Sequence, residues 1–155
     1  MYPSYTVLTN FNLEDRSTKT VKTIRIAAIS LAFGTCLFAQ DAAVLARGKY
    51  LVEEVAKCTD CHTAKAATGE PDKTKWLKGG MLSFKPVGEV PKWHATTPDI
   101  TSTSPLWQRW GMDGMVKFFE TAKNPRGGTA DPPMPAYTLS HDDAVAIATY
   151  LKSLP

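Results

Sequence analysis

Cys58-Thr59-Asp60-Cys61-His62 is the stretch that decides how this chain folds. Two thiols separated by two residues on one helical turn can each form a thioether to a haem vinyl group. A histidine directly after the second thiol is then placed to bind the iron from one face. Other uses of a C-x-x-C pair fit less well. A zinc site needs two further ligands, and beyond the motif the remaining histidines are His94 and His141, at no finger spacing. A thioredoxin-like redox pair opens a βαβ pattern, and this chain shows none. The motif therefore predicts one covalently attached haem c, bonded to Cys58 and Cys61, with His62 on the iron.

Upstream, Lys19, Lys22 and Arg25 precede an apolar run from Ile26 to Ala39. The run is shorter than the ~20 apolar residues that span a bilayer, and a basic lead before it reads as an export signal. The expectation is a signal over residues 1–40, cleaved between Ala39 and Ala43, with no transmembrane anchor left afterwards and a periplasmic product. Met1 to Thr20 form a long polar lead for such a signal. A start at Val21 gives the compact VKTIRIAAISLAFGTCLFAQ, so Val21 is an alternative first residue.

Residues 41–155 then make one domain of about 115 residues. Cys36 leaves with the signal, so Cys58 and Cys61 are the only thiols that remain and no disulfide partner is left. A haem would supply apolar bulk to a core this small. In this region 14 Lys and Arg stand against 13 Asp and Glu. That balance gives no argument for nucleic acid or an anionic membrane as a partner, and neither is expected. Lys65, Lys73, Lys75, Lys78, Lys85 and Lys92 are either a basic docking face or scattered solvated charges.

Helical periodicity is clear in three places. Leu45, Gly48, Val52 and Val55 recur at spacings of three and four within Asp41 to Ala56, a helix that runs directly into Cys58. Met115, Phe118, Phe119 and Ala122 mark a second helix, starting near Gly111 and ended by Asn124-Pro125. In the last, Ser140 is the cap, Asp142 and Asp143 suit the positive end of the dipole, and Ala144, Ile147, Ala148 and Leu151 form the apolar stripe. Gly48 inside the first helix costs up to ~1 kcal/mol against alanine, which fits a close approach by another backbone, with Tyr150 facing it. Between Thr63 and Ser104 glycines and prolines predict irregular chain, anchored by Trp76, Phe84 and Trp93 around a large apolar ligand.

The second axial ligand is sought among the methionines and the two other histidines. Met134 lies in Asp131-Pro132-Pro133-Met134-Pro135, where flanking prolines fix φ and leave the thioether little freedom to lose. A soft neutral sulfur opposite histidine raises the reduction potential. Met81 sits in a glycine-rich loop, and Met112 and Met115 suit a helix core. His94, beside Trp93, would hydrogen-bond a propionate or meet solvent, and His141 belongs to the exposed first turn of the last helix.

Taken together, these pieces resemble a class I c-type cytochrome over about Ala42 to Pro155. More narrowly, Thr97-Pro98-Asp99, Trp110 ahead of a helix, Pro133-Met134-Pro135 with Tyr137, and the ending Ala148-Thr149-Tyr150-Leu151-Lys152-Ser153-Leu154-Pro155 resemble the cytochrome subunits of bacterial alcohol and gluconate dehydrogenases. Those subunits carry several such domains, and members commonly have Asn-Ile where this chain has Ala95-Thr96.

The resemblance implies an all-α cytochrome c fold, three or more helices and long loops packed around one haem. His62 and Met134 together fill both axial positions, which favours outer-sphere electron transfer over catalysis. The expected protein is a periplasmic single-haem carrier, not an enzyme. It would take electrons from a dehydrogenase or a quinol-oxidising complex and pass them to an oxidase or reductase. The rivals are a fixed electron-accepting subunit of a dehydrogenase and, if Met134 dissociates, a five-coordinate gas sensor or peroxidase.

Overall fold

Helix α1, residues 41–50, passes without interruption into a π-helical turn, Leu51–Val55. In the computed structural model, which describes residues 41–155, the Ala56 amide closes that turn onto the Leu51 carbonyl five residues back, at 2.8 Å. The proposed export signal and the alternative start at Val21 lie outside the described residues. The wider turn holds one residue more than an α-helical turn, so the apolar face shifts phase at this point. Leu51 and Val52 are buried, whereas Val55, expected on the buried stripe, is 55% exposed.

Lys57 then adopts a left-handed conformation, with φ 51°, which separates the π turn from α2, Cys58–His62. A single-turn 3₁₀ helix, Lys73–Lys75, and a short antiparallel ribbon of β1, Gly80–Met81, and β2, Thr96–Thr97, organise the irregular stretch. The register pairs Gly80 with Thr97 and Met81 with Thr96.

Helix α3 covers Pro105–Thr121 and begins a turn and a half before the position expected from periodicity. Its start carries the Ser104-Pro105 pair: the Ser104 hydroxyl accepts the Leu106 amide at 3.2 Å, and proline occupies the first turn, where its missing N–H costs nothing. Gly111, with φ 65° and ψ −175°, interrupts α3, so the expected boundary there is a kink between two helical stretches. Past it, Met115, Phe118, Phe119 and Ala122 are all buried, as their spacing predicts, while Met112 is 41% exposed and is not the core residue expected. Ala122 ends the helix in a left-handed cap, ahead of Asn124-Pro125.

Helix α4, His141–Ser153, is capped by Ser140, whose hydroxyl accepts the Asp143 amide at 3.3 Å. It packs on α3 and on the π turn. At its crossing with α1 a side chain on Gly48 would run into the Ala146 carbonyl and sit 2.6 Å from Cβ of Tyr150. The expected pairing of Gly48 with Tyr150 is therefore a backbone-to-helix contact that only glycine permits. Arg47 of α1 also meets Asp143 of α4 at 2.9 Å. The fold is mainly helical, as expected. No helix among the described residues is long and apolar enough to cross a membrane.

Candidate haem site

Helices α2, α3 and α4 and the loops between them enclose a cavity of about 630 Å³, within the ~300–1,000 Å³ range of small-molecule and cofactor sites. Its lining brings together all four residues singled out in the sequence: Cys58, Cys61, His62 and Met134. The remainder is largely apolar and aromatic, with Ile100, Leu106, Trp110, Met115, Phe118, Phe119, Tyr137 and Leu151 contributing.

Local folding accounts for each position. The α2 turn places Cys58, Cys61 and His62 within five residues of one helix. His62 is 6% exposed, and its Nδ1 lies 2.9 Å from the Pro98 carbonyl oxygen. A carbonyl can only accept, so Nδ1 carries the proton in this contact and Nε2 keeps its lone pair. Among the described residues Nε2 has no protein partner, which is the state a metal-binding imidazole requires. Burial lowers the pKa of His62, although the Pro98 carbonyl works against it.

No disulfide joins Cys58 and Cys61. Burial pushes the Cys58 thiol up to about 11 and also raises Cys61. A redox-active C-x-x-C turn depends on the reverse, a thiol lowered toward or below neutrality.

The Thr97-Pro98-Asp99 segment builds the surroundings of α2. Thr97 Oγ1 donates to the Cys61 carbonyl at 2.8 Å, and the Pro98 carbonyl accepts the hydrogen bond from His62 Nδ1. The Gly79 amide donates to the His62 carbonyl at 2.7 Å. Gly79 has φ 80°, and a Cβ there would fall 2.6 Å from the Pro98 carbonyl carbon, so a side chain would displace this segment. Asp99 accepts from Thr101 and Thr103, locking the next turn. Tyr137 donates to the Ala56 carbonyl at 3.1 Å and so ties the connection after Met134 to the end of the π turn.

The alternatives for the second ligand fall where the structure can separate them. Met81 is 74% exposed on β1 and does not line the cavity. His141 is exposed and bonded to Glu120 at 2.7 Å. His94 lies at the rim, with Nε2 3.3 Å from Asp131 Oδ2. Met115, assigned to the core by its helical spacing, is 2% exposed and lines the cavity as well. Helical periodicity places Met115 on the inward face but cannot show that this face borders a cavity.

The six lysines considered as a docking face are not alike. Lys78 turns inward and holds Thr101, Thr103 and the Pro155 carbonyl oxygen. Lys75 and Lys92 stand 3.7 Å from Asp72 and 3.8 Å from Asp131 respectively.

The Cytochrome c family model matches residues 45–155, nearly all of this folded region. The chain belongs to the cytochrome c family. Covalently bound haem c is the cofactor that membership implies, and the cavity has the donors and the apolar lining for it. This cytochrome c domain is 32% identical over 114 residues to a diheme cytochrome c-type protein of Cereibacter sphaeroides, covering 70% of this chain and 35% of that one. It is 33% identical over 118 residues to the cytochrome c subunit of a quinone alcohol dehydrogenase from Gluconobacter oxydans, covering 72% and 24%. It is 33% identical over 125 residues to the cytochrome c subunit of gluconate 2-dehydrogenase from Pantoea cypripedii, covering 75% and 27%. The chain thus spans about a third or less of the length of these curated relatives. The narrower resemblance to dehydrogenase cytochrome subunits, carried by Thr97-Pro98-Asp99, Pro133-Met134-Pro135 and the last helix, agrees with them.

Proposed function

We propose that this cytochrome c domain is a periplasmic one-electron carrier holding a single haem c. Cys58 and Cys61 are its thioether anchors, and His62 and Met134 are its axial ligands. The observation that carries the reading is the His62–Pro98 contact at a cavity that Cys58, Cys61 and Met134 also line. Bound there, haem iron supplies a reversible one-electron change.

The chain's own residues do the rest. Pro98 orients the His62 ring and fixes its tautomer. Met134, with its amide 3.2 Å from the Asp131 carbonyl, sits in a short turn between prolines that restricts the sulfur. His62 and Met134 would together hold the iron of a bound haem, leaving no coordination site for substrate, an arrangement that would suit electron transfer over catalysis. The apolar lining keeps water from the ring and limits reorganisation. One C-x-x-C-H motif in the chain corresponds to one haem.

The relatives that are dehydrogenase subunits favour a second reading, in which the domain is the fixed electron acceptor of such an enzyme. In either case electrons arrive from a dehydrogenase or quinol-oxidising complex and leave toward an oxidase or reductase. Co-purification of the native protein separates the two readings: a stable stoichiometric dehydrogenase establishes the subunit, and a lone cytochrome the carrier.

Mass spectrometry of protein matured with a c-type assembly system should show one added haem that survives acid–organic extraction. An unmodified mass refutes the covalent site. N-terminal sequencing of exported protein should begin between Gln40 and Val44, and retention in the cytoplasm refutes the periplasmic assignment. Met134→Ala should abolish the methionine-to-iron charge-transfer band of the ferric protein and lower the potential. Met115→Leu should keep the band, since the swap conserves volume. The opposite pattern makes Met115 the ligand.

A further inference from the structure

One extended segment, residues 94–98, touches both parts of the chain that supply the proposed axial ligands. At one end the Pro98 carbonyl accepts a hydrogen bond from His62 Nδ1 at 2.9 Å. At the other the His94 amide donates to the Pro132 carbonyl at 2.9 Å, two residues before Met134. The His94 side chain meets the same stretch again, with Nε2 3.3 Å from Asp131 Oδ2, and Lys92 Nζ lies 3.8 Å from Asp131 Oδ1.

These contacts matter because the methionine segment has few ways to be held. Pro132, Pro133 and Pro135 have no N–H to donate, and the Met134 amide is already committed to Asp131. Among the described residues, the polar tethers that reach residues 131–134 from elsewhere all come from Lys92 and His94. Asp131 and Met134 are closed into one turn, so a restraint on the Asp131 carboxylate is passed to the methionine. His94 is exposed and contributes nothing to the core, and so its side chain affects this segment without carrying the fold.

We propose that His94 is a positioning residue for Met134: together with Asp131 it latches the methionine segment and sets how readily the thioether yields its place to an incoming ligand. The inference rests on Met134 as axial ligand. Because the latch is exposed and ionic in part, its side-chain contact has the modest worth of a surface pair and is screened by salt.

The test is the rate at which ferric holoprotein captures imidazole, read beside the charge-transfer band. His94→Ala and Asp131→Asn should each speed capture up to about fivefold, the range of an exposed pair. The double variant should be no faster than the quicker single one, and His94→Gln, which keeps a side-chain donor, should restore part of the effect. Added salt should speed capture by wild type and leave Asp131→Asn unchanged. Met134→Ala is the reference. If it loses the band while both single latch variants capture at the wild-type rate, or if their effects simply multiply, the latch is wrong and the ligand assignment stands. If Met134→Ala keeps the band, the ligand assignment fails and the latch with it.

Discussion

The Pro98 carbonyl oxygen lies 2.9 Å from Nδ1 of His62, thirty-six positions away in sequence. Proline supplies an acceptor there and no competing donor. The ring is turned by a backbone group, so its orientation depends on where the Thr97-Pro98-Asp99 segment sits. Thr97 decides that through its bond to the Cys61 carbonyl, and Gly79 decides it by leaving room.

Thr97→Val should therefore destabilise the holoprotein. The hydroxyl donates to the Cys61 carbonyl at 2.8 Å, and valine leaves that acceptor unpartnered, while the Gly80 amide keeps its place in the ribbon opposite Thr97. A cost of about 1 kcal/mol follows from losing one hydrogen bond to a partly buried acceptor. Thr97→Ser should recover most of it in thermal melts.

Gly48→Ala should destabilise, although alanine favours a helix by up to ~1 kcal/mol. The added methyl runs into the Ala146 carbonyl and lies 2.6 Å from Cβ of Tyr150, so α1 and α4 must separate. Overpacking of this kind costs about 1–3 kcal/mol, and the lower midpoint in denaturant measures the balance. A raised midpoint would mean that the helices can part freely.

Lys57→Gly should be neutral or stabilising. Lys57 has φ 51° immediately before Cys58, a conformation that costs a residue with a Cβ about 1–2 kcal/mol. Its ion pair with Glu54 at 3.0 Å is exposed and worth little in return. Greater flexibility of glycine in the unfolded chain offsets part of the gain. A loss above ~1 kcal/mol would show that Lys57 does more than turn the chain.

Asp99 gives the protein an acid-sensitive contribution to stability. Burial pushes its carboxyl up, but hydrogen bonds from Thr101 and Thr103 and the charge of Lys78 outweigh this and hold it below the usual range. The unfolded chain then binds the proton more readily than the native one. The contribution is present above the unfolded value of about 4 and is lost as pH falls through the depressed native value. Holoprotein melts from pH 6 to pH 2 should show wild type losing its advantage over Asp99→Asn below about pH 4. An advantage that stays constant with pH would place the role of Asp99 in packing.

Much of this structure is local and was legible for that reason. The C-x-x-C-H turn, the Met115–Phe118–Phe119–Ala122 stripe and the Ser140 cap are short-range patterns fixed by helical geometry, and each appears where the sequence puts it. The start of α3 was also written locally, in Ser104-Pro105, but the Gly111 kink masked it by imitating a boundary. Gly48 announced a close approach because a glycine inside a helix needs compensation.

What the tertiary structure decided are relationships between distant segments, where no local period operates. The π turn rotated Val55 out of its stripe, because the hydrogen bond it uses reaches one residue further than the sequence pattern assumes. The exposure of Met81 and the inward turn of Lys78 depend on how loops lie over α2 and α3. So does the appearance of Met115 beside Met134 in one cavity. The sequence by itself determined which residues can carry haem chemistry, since thiol, imidazole and thioether are properties of side chains. Only the folded chain decided that a carbonyl from residue 98 fixes the imidazole and that an amide from residue 94 holds the methionine segment, because both are backbone groups that every sequence possesses and only packing can aim.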